Sequence, residues 1–510
     1  KKITRALAYI CGHGQCELCI NGNKIGDDFL DPGWTKYDKK ALYVTFDVTK
    51  DIKEGNNEIS ISLGNGFYNI PRQGYFKWLG SFGAPKVRML VRLEYADGKV
   101  KDIITDNTWK AAQSAITHSG IYSGENYDAT KEDMPWRKAI ITSYNGLLES
   151  QKNPPVKVHE EIAVNRVFKN AKGNWVYDLG QNFSGIIRVK LHGAKGKTVT
   201  FRPAELLNSD STVNQSATGK YTLSYTLKGG ESEEWSPKFT YYGFRYVQLE
   251  DAVPQDKSNP DSLPVVENLM GLHTCSSAAE VGTFNCSNRL FNRTFELIDW
   301  AVRSNMQSLL TDCPHREKLG WLEEAHLMQY SMQYRYDLQM LYHKIMGDME
   351  DSQTSNGNIP TIAPEYVHFD GGFEDTPEWG SAFIICPWYV YKWYGDKSLL
   401  SKYYDNMKRM LSYLSSREDK DGIVAYGLGD WFDIGPERPG VAQLTSNGVT
   451  ATAIYYYDTK IMAETALLLN KHDDYTYYND KAESIKVAFN KRYLNSDGYY
   501  DRNSQTANAM

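Results

Sequence analysis

Apolar and polar residues alternate in short runs through the front of the chain. ALYVTFDV (41–48), NEISISLG (57–64) and VRMLVRLEY (87–95) put every second side chain on one face, the period of a half-buried strand, and Asn, Gly, Asp and Pro mark turns between them. This pattern predicts a β-sandwich over residues 1–150. NWVYDLG, GIIRVKLHG, KTVTFRPAE and GFRYVQLE repeat it around Gly-rich turns and predict a second sandwich over 151–274. Within that stretch GAKGKT (193–198) has some of the residues of a phosphate-binding loop. It lacks the four-residue gap between glycines and the strand-to-helix setting, so a hairpin turn is expected.

DKSNPDSLPVVEN (256–268) gathers Pro, Ser, Asn and Asp into a surface connection, and beyond it the period changes. Leu338, Leu341, Ile345 and Met349 fall on one helical stripe, as do Ile454, Tyr457, Ile461 and Leu468. Such stripes by themselves mean core packing. Further helices are expected around 287–310, 324–335, 378–394, 397–416 and 473–492, with another beginning at Gln505. Successive helices joined by long, polar, aromatic-rich loops suggest a ring of helical hairpins over 275–510, with loops at one end building a site.

A chain of 510 residues exceeds one core and suggests about three domains. The 57 Lys+Arg and 63 Asp+Glu leave a net charge of -6 without long runs of either sign, which gives no footprint for nucleic acid or anionic lipid. No run of apolar residues is long enough to span a membrane, so no membrane insertion is expected. Aromatics reach 13%, with 36 Tyr and 12 Trp, which suits either an aromatic-rich β core or surfaces that stack on sugar rings. Seven scattered cysteines give no disulfide framework. Cys11, His13, Cys16 and Cys19 look like a zinc set, but AYICG and CELCI read as two strands around GHGQ, which would turn the ligands to opposite faces.

Candidate chemistry concentrates in three loops. Thr311–Ala325, TDCPHREKLGWLEEA, lies between two expected helices and packs Asp312, Arg316, Glu317, Trp321, Glu323 and Glu324 between the helix breakers Pro314 and Gly320. FEDTPEWG (373–380) and GLGDWFDIG (427–435) each offer another acid beside a Trp. Glycoside hydrolysis needs one carboxyl to protonate the leaving oxygen and another to act as base or nucleophile, with further acids and a Trp platform to hold the sugar. The competing structural reading makes Asp312 a turn cap, Glu323 and Glu324 first-turn helix residues, and Arg316 their surface partner. Three separate acid-Trp pairs favour a shared site, since buried acids need partners and exposed Trp is normally avoided.

At DCPHREKLGW the chain resembles the bacterial α-L-rhamnosidases, and YICGHGQCELCINGNKIGDDFLDPGWTKY, SGENYDA, YDLGQNFSGIIRV and FTYYGFRYVQLE are similar to that family's accessory β-domains, in order and spacing. The resemblance implies two N-terminal β-sandwich domains before an (α/α) barrel of six hairpins, and inverting hydrolysis of terminal non-reducing α-L-rhamnosyl residues without metal or organic cofactor. It makes Glu317 the general acid, lets Asp312, Arg316, Trp321 and Glu324 hold rhamnose, makes Trp379 and Trp431 aromatic walls, and adds Asp430 to the substrate contacts. Glu324 stands where the family usually has Asp, so the longer side chain must withdraw by about one methylene to keep the same contact. Crowding by Asp312 and Glu324 is expected to raise the pKa of Glu317. The family's base and C-terminal β-domain would follow Met510, so the barrel is expected to be incomplete here.

The implied partner is a rhamnose-containing oligosaccharide, polysaccharide or glycoside, and the family's polymeric substrates suggest a periplasmic or extracellular site, with the cytoplasm as alternative. The rival readings are another (α/α)-barrel glycosidase or lyase, a carbohydrate-binding protein without catalysis, and a purely structural role for the acid loops.

Overall fold

The computed structural model describes residues 2–78 and 80–510, and they divide into two compact units. One comprises residues 1–277 with 284–318, the other 278–283 with 319–510.

The first unit is β-rich. Ile3–His13 pairs antiparallel with Lys40–Asp47 on one side and Lys86–Tyr95 on the other, in a five-stranded sheet completed by Leu147–Ser150 and Val100–Ile104. Strict alternation sets the register: Ala6 faces Leu93, Ala8 faces Val91 and Ile10 faces Met89, and all six are buried. Leu18 and Ile20, from the strand Gln15–Ile20 of a small second sheet, pack into the same core. Each fully buried aliphatic side chain contributes about 1.5–3 kcal/mol relative to exposure, so the repeated pairs account for why this sandwich closes as it does. Cys11 and Cys16 lie on these strands, and burial pushes the Cys11 thiol up to about 12 and the Cys16 thiol further still, which disfavours the thiolates a zinc ion needs.

A larger sheet follows, with Val156–Ala163, Val265–Ser276, Trp175–His192, Tyr242–Glu250, Thr198–Ala204 and Thr222–Thr226 as consecutive neighbours. Its core is aromatic and aliphatic, including Phe183, Ile187, Val189, Phe201, Tyr221, Leu223, Tyr242 and Phe244. Ile116–Gly120 and Gly124–Asp128 join this sheet through parallel pairing of Gly124–Asp128 with Thr222–Thr226. The segment 193–197 is not a hairpin turn. Tyr242–Glu250 lies between the strands it connects, so the chain steps over a neighbour rather than folding back on itself.

Ten helices are described: α1 Arg289–Asn305, α2 Leu322–Leu327, α3 Gln329–Gln333, α4 Gln339–Ser352, α5 Pro377–Gly380, α6 Ala382–Tyr394, α7 Ser398–Ser416, α8 Asn447–Leu468, α9 His472–Tyr493 and α10 Gln505–Ala509. Helix α1 belongs to the β-rich unit, the others to the second. It stops at Asn305, short of the expected residue 310, because the backbone beyond it bonds to strand Val265–Ser276: Ser276 donates its N–H to Met306, and the Ser308 N–H is taken by the Ser276 hydroxyl.

In the second unit α4 meets α6 and α7, α8 meets α9, and both α6 and α7 meet α8. The α4 stripe is buried as expected, with Leu338, Leu341, Ile345 and Met349 all at most 3% exposed. The α8 stripe is mis-phased. Tyr457 is 37% exposed, while Thr452, Tyr455, Asp458, Thr459 and Met462 face inward. The inward polar groups find partners inside the unit: the Thr452 hydroxyl donates to the Val424 carbonyl, Thr459 to that of Tyr455, and Asp458 accepts from Ser381. A satisfied polar group is cheap to bury, so hydropathy misreads this helix. No helix of the described residues is long and apolar enough to cross a membrane.

Candidate active site

The sequence-predicted residues divide between the two units: Asp312, Arg316 and Glu317 lie in the first, and Trp321, Glu324, Trp379, Asp430 and Trp431 in the second.

In the β-rich unit, the loop after α1 is seated on the large sheet. Gln307 donates through Nε2 to the Thr274 carbonyl and the Ser184 hydroxyl. Pro314 sits over Gly243, where a Cβ would approach its ring to 2.6 Å. His315 is buried, receives the Arg316 N–H at Nδ1 and stands 3.4 Å from Glu205. Burial pushes the Glu205 carboxyl up, but hydrogen bonds from His315 and Asn182 and the Arg316 charge outweigh it and hold it below the usual carboxylate range. Arg316 also donates to the Ala217 carbonyl at 3.2 Å. Burial raises the Cys313 thiol to about 12, with half-buried Asp312 adding to the effect, so Cys313 serves as structure rather than nucleophile.

Glu317 is held from both ends. Its carbonyl accepts the Tyr122 hydroxyl at 2.8 Å, and its carboxylate lies 3.8 Å from Lys77 Nζ and 3.9 Å from Arg316 Nε. The cations Lys77 and Arg316 thus stand beside this carboxyl.

In the helical unit, Gly320–Leu322 runs against Thr361–Ala363 through two backbone hydrogen bonds, which fixes Trp321 at the start of α2 and puts Glu323 and Glu324 in its first turn. The His326 ring bonds the Glu378 carbonyl at 2.8 Å, tying α2 to α5. Burial pushes the Glu323 carboxyl up to about 8, and the charges of Glu324, Glu378 and Asp430 push the same way. Burial likewise takes Glu378 to about 7, with the Thr450 hydroxyl offsetting part of the rise. All three acid-Trp loops therefore supply carboxyls that feel one another. Asp430 is further fixed by the Thr506 hydroxyl at 2.7 Å.

The aromatics form a run beside these acids. Trp321 stacks on Phe369 at 5.2 Å, and Phe373 meets Trp321 edge-on at 6.4 Å and Trp431 at 5.1 Å. Trp379 is buried at 3% exposure within α5. Glu323 was among the candidate carboxyls of the first loop, though without an assigned role; Phe369, Phe373 and Glu378 are the members the sequence did not single out. For Glu378 the signal was present, since it is the acid of the second acid-Trp pair. Asp375 of the same loop instead takes the Tyr413 hydroxyl and Arg417.

Among the described residues, the side chains with metal-ligand spacing are Glu365, His368 and Glu374, whose donor atoms lie within 4.8 Å of one another. His368 Nδ1 already bonds Glu365 at 2.7 Å, and its side chain is largely exposed, so the group is as well explained as an ion pair.

Strand-rich modules precede in sequence a helical unit whose loops gather mutually repelling carboxyls beside a run of rings, residue types that carbohydrate chemistry uses. Family models for the bacterial α-L-rhamnosidase match along the chain: its N-terminal domain over residues 1–160, its concanavalin-like domain over 168–268 and its six-hairpin glycosidase domain over 279–510. The chain belongs to the bacterial α-L-rhamnosidase family. It is 30% identical to an α-L-rhamnosidase of Formosa agariphila, covering 100% of this chain and 56% of that protein, and 32% identical to one of Streptomyces avermitilis, covering 99% and 49%. Among solved structures it is similar to α-L-rhamnosidase from Dictyoglumus thermophilum (TM-score 0.88, 36% identity, 97% of this chain and 55% of that one). It is also similar to the Streptomyces avermitilis enzyme complexed with L-rhamnose (TM-score 0.89, 30% identity, 99% and 49%). The chain spans about half the length of the curated relatives it matches.

Proposed function

We propose that the whole protein hydrolyses terminal non-reducing α-L-rhamnosyl residues of glycans or glycosides by an inverting acid/base mechanism. The observation that carries this reading is the carboxyl set Glu323, Glu324, Glu378 and Asp430 beside Trp321, Phe373 and Trp431. The sugar is suggested by the similar Streptomyces enzyme, which was solved with L-rhamnose. Glu317 protonates the glycosidic oxygen as the bond breaks, and a water activated by a second carboxylate attacks the opposite face. An inverting pair stands roughly 6.5–9.5 Å apart to admit that water. Glu323, held protonated at neutral pH by burial, donates a hydrogen bond to a sugar hydroxyl, and Trp321 offers its face to the ring.

A carboxyl near 8 is also what a proton donor requires, which makes Glu323 the second candidate for the acid. Comparing Glu317→Gln with Glu323→Gln across a series of aryl rhamnosides of differing leaving-group pKa separates them, because only the true donor shows a loss that grows with leaving-group pKa. Proton NMR of the sugar released from p-nitrophenyl α-L-rhamnoside by the full-length protein tests the overall reading. β-Rhamnose as first product is expected. α-Rhamnose as first product overturns inversion, and binding without release favours a carbohydrate-binding protein. We also place the protein in the periplasm or outside the cell, where rhamnose-bearing polymers are met; activity confined to the cytoplasmic fraction would contradict that placement.

A further inference from the structure

Lys318 is fully buried. Its amine donates to the backbone carbonyls of Ile121 and Tyr241, each at 2.5 Å, and lies over the rings of Tyr241, Tyr221 and Tyr242 at 4.3–5.7 Å. Burial holds this amine well below the usual lysine range. A lysine is among the side chains least often buried, and here its stem fills a socket made by the β-rich unit. Its backbone sits in the left-handed region at φ 56°, a conformation that costs a non-glycine residue roughly 1–3 kcal/mol and persists only where surroundings enforce it.

The neighbouring residue is Glu317, and the same strip of β structure holds it. Ile121 and Tyr122 form the turn between strands Ile116–Gly120 and Gly124–Asp128. Ile121 accepts from Lys318, and Tyr122 donates to Glu317. The backbone N–H groups of Glu317 and Lys318 both point to the Cys313 sulfur. The peptide that follows Glu317 is thereby gripped at its carbonyl, its N–H and the next side chain, which fixes the direction in which the Glu317 side chain leaves the backbone. The turn closes on the neighbouring strand at a glycine: Gly124 has φ 98°, and a Cβ there would come within 1.8 Å of the Thr222 carbonyl.

We propose that Lys318 and Tyr122 are positioning residues for the reaction, aiming the Glu317 carboxyl through a socket in the accessory β-sheet. The proposal rests on Glu317 being the general acid. A donor placed about 1 Å off loses on the order of 100-fold in rate, and the loss falls only on substrates that need the proton.

The test uses the full-length protein with Tyr122→Phe, Lys318→Met and Glu317→Gln, assayed on 2,4-dinitrophenyl α-L-rhamnoside, whose leaving group needs no proton, and on p-methoxyphenyl α-L-rhamnoside, whose leaving group does. Tyr122→Phe removes a single oxygen and keeps the fold available if Lys318→Met does not fold. Expected is a kcat loss of at least about tenfold on the methoxyphenyl substrate and within about twofold on the dinitrophenyl one, with Glu317→Gln giving the same pattern more strongly. If Glu317→Gln discriminates but Tyr122→Phe lowers both substrates equally or neither, the positioning role is overturned. If Glu317→Gln itself shows no discrimination, the acid assignment has failed instead.

Discussion

Tyr122 and Glu317 stand 195 positions apart in sequence and meet hydroxyl to carbonyl at 2.8 Å. The contact makes the β-sheet part of the candidate acid's own surroundings, since both residues lie in the same compact unit.

Glu317→Gln should reduce kcat on alkyl and weakly activated aryl rhamnosides by about 10²–10⁴-fold while leaving the circular dichroism spectrum and melting temperature unchanged. The fold is spared because the bond from Tyr122 goes to the backbone, which the substitution keeps. Full activity on a methyl rhamnoside would rule Glu317 out as proton donor.

Trp321→Ala should weaken sugar binding more than turnover. The ring stacks on Phe369 and meets Phe373, so its loss removes both a sugar face and its support, and the 0.5–1.5 kcal/mol typical of aromatic pairs corresponds to a rise in KM of roughly two- to tenfold. Inhibition by free L-rhamnose provides the check; an unchanged inhibition constant would place the sugar elsewhere.

Glu323 makes stability depend on pH. Its carboxyl is raised from an ordinary 4.5 to about 8, so the folded state keeps a proton that the unfolded chain releases. The resulting stabilisation is full below pH 4.5 and lost as pH rises through 8, and Glu378, raised to about 7, adds to the decline. Melting temperature measured from pH 5 to 8.5 should fall, and fall less in Glu323→Gln. Equal slopes in the two proteins would show that Glu323 is not the buried proton carrier.

Asp458 is completely buried with the Ser381 hydroxyl 2.6 Å away, and burial holds its carboxyl well above the usual range. Because burial favours the neutral form of this side chain, Asp458→Asn should change stability by less than about 1 kcal/mol at pH 7. Asp458→Ala should cost about 1–3 kcal/mol by stranding the serine. Chemical denaturation of both variants tests this, and a large loss in the Asn variant would mean that the native carboxylate is ionised.

Much of the architecture was legible because periodicity reports burial directly where cores are apolar. Ala8 opposite Val91 and Leu341 above Ile345 obey that rule. Helix α8 does not, since Thr452 and Asp458 enter the core with partners on other segments that no local pattern reveals. The same limit governs the site. The three acid-Trp loops stood out by composition, yet that Glu323 carries a raised carboxyl follows from its burial, which no local pattern reveals. Lys318 reads in sequence as one more solvated charge, and only the carbonyls of Ile121 and Tyr241, more than seventy residues away, reveal its socket.

That socket bears on how such proteins can be recombined. The family's glycosidase model begins at residue 279, yet the peptide bearing Glu317 is seated on a turn at 121–122. A cut at that boundary, or a graft of a foreign sandwich in front of it, would leave the Lys318 amine without its two acceptors and the Glu317 carbonyl without the Tyr122 hydroxyl. Glu317 and the turn that seats its peptide therefore form one structural piece that the sequence boundary at 279 divides.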